Sequence, residues 1–261
     1  MKIYILILLF ALVLISCGQN SFERELNGKW YGIENDGFTR MFFYPDSLIL
    51  IEMGSQNVQW TANKSRIEFD YHLRFPDSTQ KNPKRFKTDY ILSKSKDTLF
   101  CTIKDSTEER RFNLIRANNY VNYLSKKSAI DFKLPIDNKV QHMEIDGDYG
   151  FKIFAGNKNG SVTIVTEFGN GLDSLEKDIF KFKQKINPQD KYHEEKLKYE
   201  SHFRIFADKS ISDEILKENI QKLTESEINQ VFRVYKSEEY ENLGYLKGER
   251  IKTIANNGYS K

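Results

Sequence analysis

Apolar and polar residues alternate with period two through the first half of the chain, most regularly at residues 66–75. There Ile67, Phe69, Tyr71, Leu73 and Phe75 interleave with Arg66, Glu68, Asp70, His72 and Arg74. Successive side chains of a strand point to opposite faces, so this stretch predicts a strand with one dry and one wet face. Shorter alternating runs occupy residues 30–33, 40–44, 48–53, 58–62, 86–92, 99–103 and 111–116. Turn formers separate them, including Asn35, Asp36 and Gly37, then Pro45 and Asp46, then Lys96 and Asp97. Seven or eight short strands at this spacing predict a small antiparallel barrel or sandwich.

The rhythm changes near residue 118. Residues 118–146 read as a connector, with a short helix at 120–128 broken by Pro135, Asp137 and Asn138. Beyond it, residues 151–155 and 161–168 flank Gly156, Asn157, Lys158, Asn159 and Gly160, a hairpin signal because glycine and asparagine accept positive φ. Leu172, Leu175, Ile179, Phe182 and Ile186 then recur at helical spacing until Asn187 and Pro188. Residues 203–207 form a third strand. Ser212 caps a second helix, with Asp213 and Glu214 in its first turn and Leu216, Ile220 and Leu223 on its apolar side, and residues 231–235 make a fourth strand. The order β-β-α-β-α-β predicts a sheet backed by helices. The fold class expected is mixed α and β in two domains: a small antiparallel β-barrel, then an α+β domain with helices packed on a sheet.

Ahead of both halves lies Lys2, an unbroken apolar run over residues 3–15, then Ser16 and Cys17. The run is shorter than the roughly 20 apolar residues a spanning helix needs. It has the build of an export signal that ends at a lipidated cysteine. Leu14, Ile15, Ser16 and Cys17 resemble the lipobox of bacterial lipoproteins. That resemblance implies a signal peptide over residues 1–16 and Cys17 as first mature residue, carrying a diacylglyceryl thioether and an acylated amine. Two or three acyl chains anchor a protein stably where one would be marginal. The family's inner-membrane retention signal is an aspartate after the cysteine; Gly18 stands there instead, which points to the outer membrane of a double-membraned cell. The domain parse is therefore 1–16 signal peptide, 17–22 lipidated tether, 23–117 barrel domain, 118–146 connector and 147–261 α+β domain.

Charge and cysteine content narrow the partners. Lys2 is the only charge in the leader, and the whole chain carries 40 Lys and Arg against 37 Asp and Glu, so the mature protein is near neutral. No basic stripe marks a nucleic-acid partner. With Cys17 acylated, Cys101 is the only thiol left, so no internal disulfide can form and stability must come from a core. Cys101 lies between Leu99 and Ile103 at alternate positions, which predicts a buried, inert thiol.

Gly28 and Trp30, with Leu26 and Asn27 before them and Arg116 at the end of the last strand, resemble the lipocalin and calycin pattern. In that family the glycine and tryptophan open the first strand, and the arginine lies across the indole to close the barrel base. The resemblance covers residues 23–117. It implies a barrel closed by Gly28, Trp30 and Arg116, and it raises the family's other property, capture of a small hydrophobic ligand. The segment is short and rich in Phe, Tyr, Leu and Ile, which favours an interior filled by side chains. Eight strands enclose only enough space to fill or to hold one small molecule. The volume bounded by Trp30, Phe69, Tyr71 and Tyr90 separates the two readings. Further on, Arg204, Ile205, Phe206, Ala207, Asp208 and residues 231–234 weakly resemble the periplasmic domain of the ExbD and TolR biopolymer-transport proteins, which implies only a domain shape and contacts with envelope proteins or the cell wall.

Motifs for catalysis are thin. His193, Glu194 and Glu195 begin like a zinc-protease helix, but Leu197 stands where the second ligand belongs. Asp146, Asp148, Asn157, Asn159 and Gly160 hint at a calcium loop, yet Ala155 and Thr166 occupy the acid positions of an EF-hand. No nucleophile elbow, phosphate loop or dinucleotide fingerprint occurs. A hydrolase would need His142, Asp146 and Asp148 to converge in a cleft. The expectation is a lipid-anchored envelope protein that binds and does not catalyse, with no cofactor and no metal. Its expected partners are the membrane through Cys17 and an envelope protein or cell-wall component, with a small hydrophobic ligand as the alternative.

Overall fold

The computed structural model describes residues 19–32, 40–51, 56–72, 83–104, 109–136, 149–186, 191–224, 226–228, 230–236 and 247–251. The leader, Cys17, the turn at Asn35, Asp36 and Gly37, the strand ends at 52–53 and 73–75, and Asp137, Asn138, His142, Asp146, Asp148, Asn187 and Pro188 lie outside them. The chain groups into two compact units that divide between Asn118 and Asn119. Among the described residues no helix is long and apolar enough to cross a membrane.

The first unit opens with a helix absent from the expected elements, α1 (Ser21–Leu26). Asn20 accepts from the Glu23 amide and the Glu23 carboxylate accepts from the Asn20 amide, a reciprocal cap that supports so short a helix. Nine strands follow: β1 (Gly28–Gly32), β2 (Arg40–Phe43), β3 (Leu48–Leu50), β4 (Gln56–Val58), β5 (Trp60–Ala62), β6 (Arg66–Tyr71), β7 (Lys84–Leu92), β8 (Thr98–Lys104) and β9 (Glu109–Arg116). They form one antiparallel sheet in the order β4-β3-β2-β1-β9-β8-β7-β6-β5. The expected strand at 58–62 is split at Gln59, so the two edges of the sheet are halves of one bent segment and the ring nearly closes. Across that seam the Gln56 amide takes the part of a ladder rung: its Oε1 accepts from the His72 amide at 2.9 Å, and its Nε2 donates to the His72 carbonyl.

Inward positions alternate as the sequence implies, and large apolar side chains take most of them. Trp30, Met41, Phe43, Leu48, Leu50, Trp60, Ile67, Phe69, Tyr71, Phe86, Tyr90, Leu99, Cys101, Phe112 and Leu114 form one buried cluster. Phe69 stacks on Phe86 with ring centroids 4.5 Å apart, and Phe43 meets Trp60 edge-on at 4.7 Å. Such pairs add roughly 0.5–1.5 kcal/mol beyond their area.

The second unit starts with α2 (Tyr120–Ser128) and is built on strands β10 (Gly150–Lys158), β11 (Ser161–Thr166), β12 (His202–Ala207), β13 (Val231–Tyr235) and β14 (Lys247–Arg250). A single 3₁₀ turn (Leu172–Ser174) leads into α3 (Leu175–Lys185); α4 (Lys191–Glu200) and α5 (Asp213–Thr224) complete the helices. The sheet order is β11-β10-β12-β13-β14, parallel at β10–β12 and β12–β13 and antiparallel at both edges. Phe151, Ile153 and Ala155 of β10, with Phe203, Ile205 and Ala207 of β12, meet Leu175, Ile179, Phe182, Leu197, Leu216 and Leu223 from the helices.

Three details depart from expectation. The hairpin turn is the pair Asn159 and Gly160, both at positive φ, while Gly156 sits within β10. A Cβ on Gly156 would come within 2.3 Å of the Asp131 carbonyl oxygen, so glycine is required there by close backbone approach, not by a turn. Strand β14 was not expected, since Lys247, Gly248, Glu249 and Arg250 carry no apolar alternation. Finally, residues 119–136 belong to the second unit and do not merely connect. Asp131 pairs with Asn157, Lys133 bonds Asp208 and Lys209, and the Pro135 carbonyl accepts from Lys236, so a strap crosses the carboxyl ends of β10, β12 and β13 in turn. Phe132 reaches the face of the sheet opposite the helices, 5.9 Å from Phe154 and 6.4 Å from Phe206.

Candidate functional site

The base of the barrel, the end covered by α1, brings the sequence-marked residues Gly28, Trp30 and Arg116 together. Trp30 and Arg116 are partners in the β1–β9 register, which places both side chains on the inner face. The Arg116 guanidinium carbon lies 4.4 Å from the Trp30 ring centroid, and the Trp30 Nε1 donates to the Leu26 carbonyl at 2.7 Å. Arg116 also donates to the Glu25 carbonyl, so one side chain joins the last strand, the first strand and the helix. Burial makes Arg116 less ready to hold its proton, with the nearby Glu25 and Asp97 carboxylates acting in the other direction. Gly28 has φ +130, which side chains rarely adopt, and this allows the sharp entry from α1 into β1.

Two further buried aromatic donors tie the same end. The Trp60 Nε1 donates to the Tyr44 carbonyl at 3.0 Å, and the Tyr90 hydroxyl donates to the Asn63 carbonyl at 2.7 Å. Helix α1, the β2–β3 turn and the β5–β6 turn are thus each held by one aromatic ring from inside the barrel. The Asn20, Glu23 and Glu25 contributions were missed from sequence, although Asn20 followed three residues later by Glu23 is a capping-box signature.

Tyr90, Phe69 and Tyr71, named with Trp30 as the wall of any hydrophobic pocket, are all buried among their neighbours. Cys101 is buried on the same inner face, and burial pushes its thiol up to about 12, with the nearby Thr88 hydroxyl acting weakly in the other direction. A thiol so far from ionisation is a poor nucleophile.

In the second unit the chemistry-bearing groups engage one another. Asp178 is fully buried, with Thr166 Oγ1 donating at 2.6 Å, Asn170 Nδ2 at 2.9 Å and Lys181 Nζ at 3.1 Å. Burial raises its pKa, but these donors together outweigh burial and leave it below the ordinary value. Its signal was in the sequence: Asp178 falls within the stripe of Leu175, Ile179 and Phe182, where a charge has no place unless partnered. His202 Nε2 accepts from Arg204 Nε at 3.1 Å, which leaves Nδ1 to donate to the Glu200 carbonyl at 2.7 Å. Burial, with the Arg204 charge adding to it and the bond to the Glu200 carbonyl opposing it, lowers the His202 pKa. Both ring nitrogens are therefore committed.

Among the described residues, the others weighed for catalysis or metal binding do not gather. Glu194 and Glu195 are exposed on α4, His72 is exposed beyond β6, and the Asn157 side chain accepts from the Gly160 amide as a turn residue does. Among the described residues no group of His, Cys, Asp or Glu could hold a metal ion. Searches of protein-family models, curated proteins and solved structures found no match to this chain.

Proposed function

We propose that this chain is a lipid-anchored cell-envelope protein that works by binding, with a calycin-like barrel as a rigid, side-chain-filled pedestal and the second unit as the contact module for an envelope protein or cell-wall component. The observation that carries this reading is the inner face of the barrel, which large aromatic and aliphatic side chains line as one buried cluster. The leader and the lipobox ending at Cys17 support the anchor, and Gly18 in place of the retention aspartate supports placement at the outer membrane. The closure of the base by Gly28, Trp30 and Arg116 supports the calycin-like assignment, because a cation over an indole contributes about 0.5–2 kcal/mol to holding that end shut.

The test is to express the full chain in a double-membraned bacterium, extract membranes with detergent and determine the mass of the N-terminal peptide and of everything that co-purifies. The expected result is a diacylglyceryl mass on Cys17, release of Cys17→Ser into the soluble fraction, and a protein or cell-wall fragment lost when the second unit is altered. An intact leader on the mature protein overturns the anchor. A stoichiometric fatty acid or other apolar molecule bound to the barrel overturns the pedestal.

A further inference from the structure

We propose that the β7–β8 hairpin at the barrel base is a second membrane contact, placing Lys94 and Lys96 on anionic lipid headgroups and Ile91 and Phe100 in the interfacial layer; this rests on the lipid-anchor reading. Among the described residues of the first unit, the exposed large apolar side chains are Tyr44, Ile91 and Phe100, and all three sit towards the base. Ile91 and Phe100 face each other across β7 and β8 on the outer side of the barrel, where the alternation calls for polar residues, and they are 70 % and 45 % exposed. At the tip beyond them, Lys94 and Lys96 are exposed. Lys96 reaches Glu25 of α1 at 2.9 Å, a surface pair weak enough to be exchanged for a lipid phosphate.

Chain continuity points this end at the bilayer. Gln19 is fixed to the base: its side chain exchanges hydrogen bonds with Asn27 at 2.7 and 3.1 Å, and its carbonyl accepts from Arg24. Asn20 in turn donates to the Ala62 carbonyl at 2.8 Å. Cys17 is two residues earlier, so its acyl chains enter lipid within about 7 Å of Gln19. The Ile91 and Phe100 rung lies roughly 7–10 Å behind the hairpin tip at about 3.4 Å per residue, so the hairpin meets the bilayer on its outer flank, with the apolar pair at the interface and the tip lysines beside it reaching the headgroups. Lysines on the same tip add attraction to anionic lipid.

The experiment uses the acylated full chain in vesicles of phosphatidylcholine with or without phosphatidylglycerol, carrying a polarity-sensitive fluorophore on Ser95→Cys at the tip or on Arg110→Cys towards the opposite end of β9. Buried Cys101 escapes labelling. The expected result is brighter, blue-shifted emission from position 95 alone, strongest with phosphatidylglycerol and quenched by headgroup-level nitroxide lipids. Lys94→Gln is expected to lower the docked-to-undocked ratio about fivefold, with a further loss in Phe100→Ser. Equal responses at 95 and 110 in protein that still floats with vesicles overturn the contact and leave the anchor standing. Protein that no longer floats overturns both. A response at 95 that follows protein concentration without vesicles assigns the patch to a second copy of the chain and overturns the lipid contact, and one indifferent to phosphatidylglycerol overturns the role of the lysines.

Discussion

In the first unit all strands pair antiparallel and the dry side chains are mainly the inward ones, with Tyr31 and Phe42 of β1 and β2 the outward exceptions, so β6 alternates between its two faces; in the second, the central strands β12 and β13 are buried on both faces almost throughout. A sheet bent round into a near-cylinder supplies its own second layer. An open sheet needs two separate covers. Here one cover is the helices and the other is Phe132 on its strap. The barrel therefore depends on a few rings that close its base, and the open sheet on what is laid across it.

Both tryptophans, Trp30 and Trp60, lie in the barrel, so their emission in urea follows that unit alone. The largest effect is expected from Trp30→Ala. Loss of a fully buried indole together with the seat of Arg116 should cost the barrel about 5 kcal/mol, read from the remaining Trp60 emission. Next, Phe132→Ala should destabilise the second unit by about 3 kcal/mol, seen as faster amide exchange in β12, with the tryptophan midpoint unmoved. A passive connector at that position would shift neither.

Asp178→Asn should cost about 2 kcal/mol at neutral pH through loss of its charge-assisted bonds. The native Asp178 pKa is depressed, so its stabilisation is present above the unfolded value near 3.9 and is lost as pH falls through the folded value. The difference between wild type and variant, measured by exchange in α3, should shrink as pH falls below the unfolded value and vanish once pH has passed below the depressed folded value. The smallest effect is Arg116→Lys, about 1 kcal/mol in the barrel, because a lysine keeps the charge but loses the flat contact with the indole.

The same contrast governs what could be read from the chain. A strand wet on one face writes its period into the sequence, and residues 66–71, 86–92 and 99–103 lie in strands as expected. Strands buried on both faces read as plain apolar runs, so residues 203–207 and 231–235 were recognised as strands but not as a sheet needing a second cover. The strap was missed because Ile130, Phe132 and Leu134, all buried, alternate over too few residues and end at Pro135. Strand β14 was missed because an edge strand of Lys, Gly, Glu and Arg draws its place from the ladder with β13, not from burial. At the base, Trp30 and Arg116 were legible, whereas Glu25 acts through its main-chain carbonyl, which no side-chain pattern records.

The clasp between Gln56 and His72 gives the barrel a seam. The neighbouring strands in the sheet order are joined by main-chain ladders, whereas among the described residues this end of the junction is spanned by a side-chain amide. The cylinder thus has a fixed place at which it would unzip first, on the side away from its ring-locked base. A barrel under load is expected to part there before its core is breached.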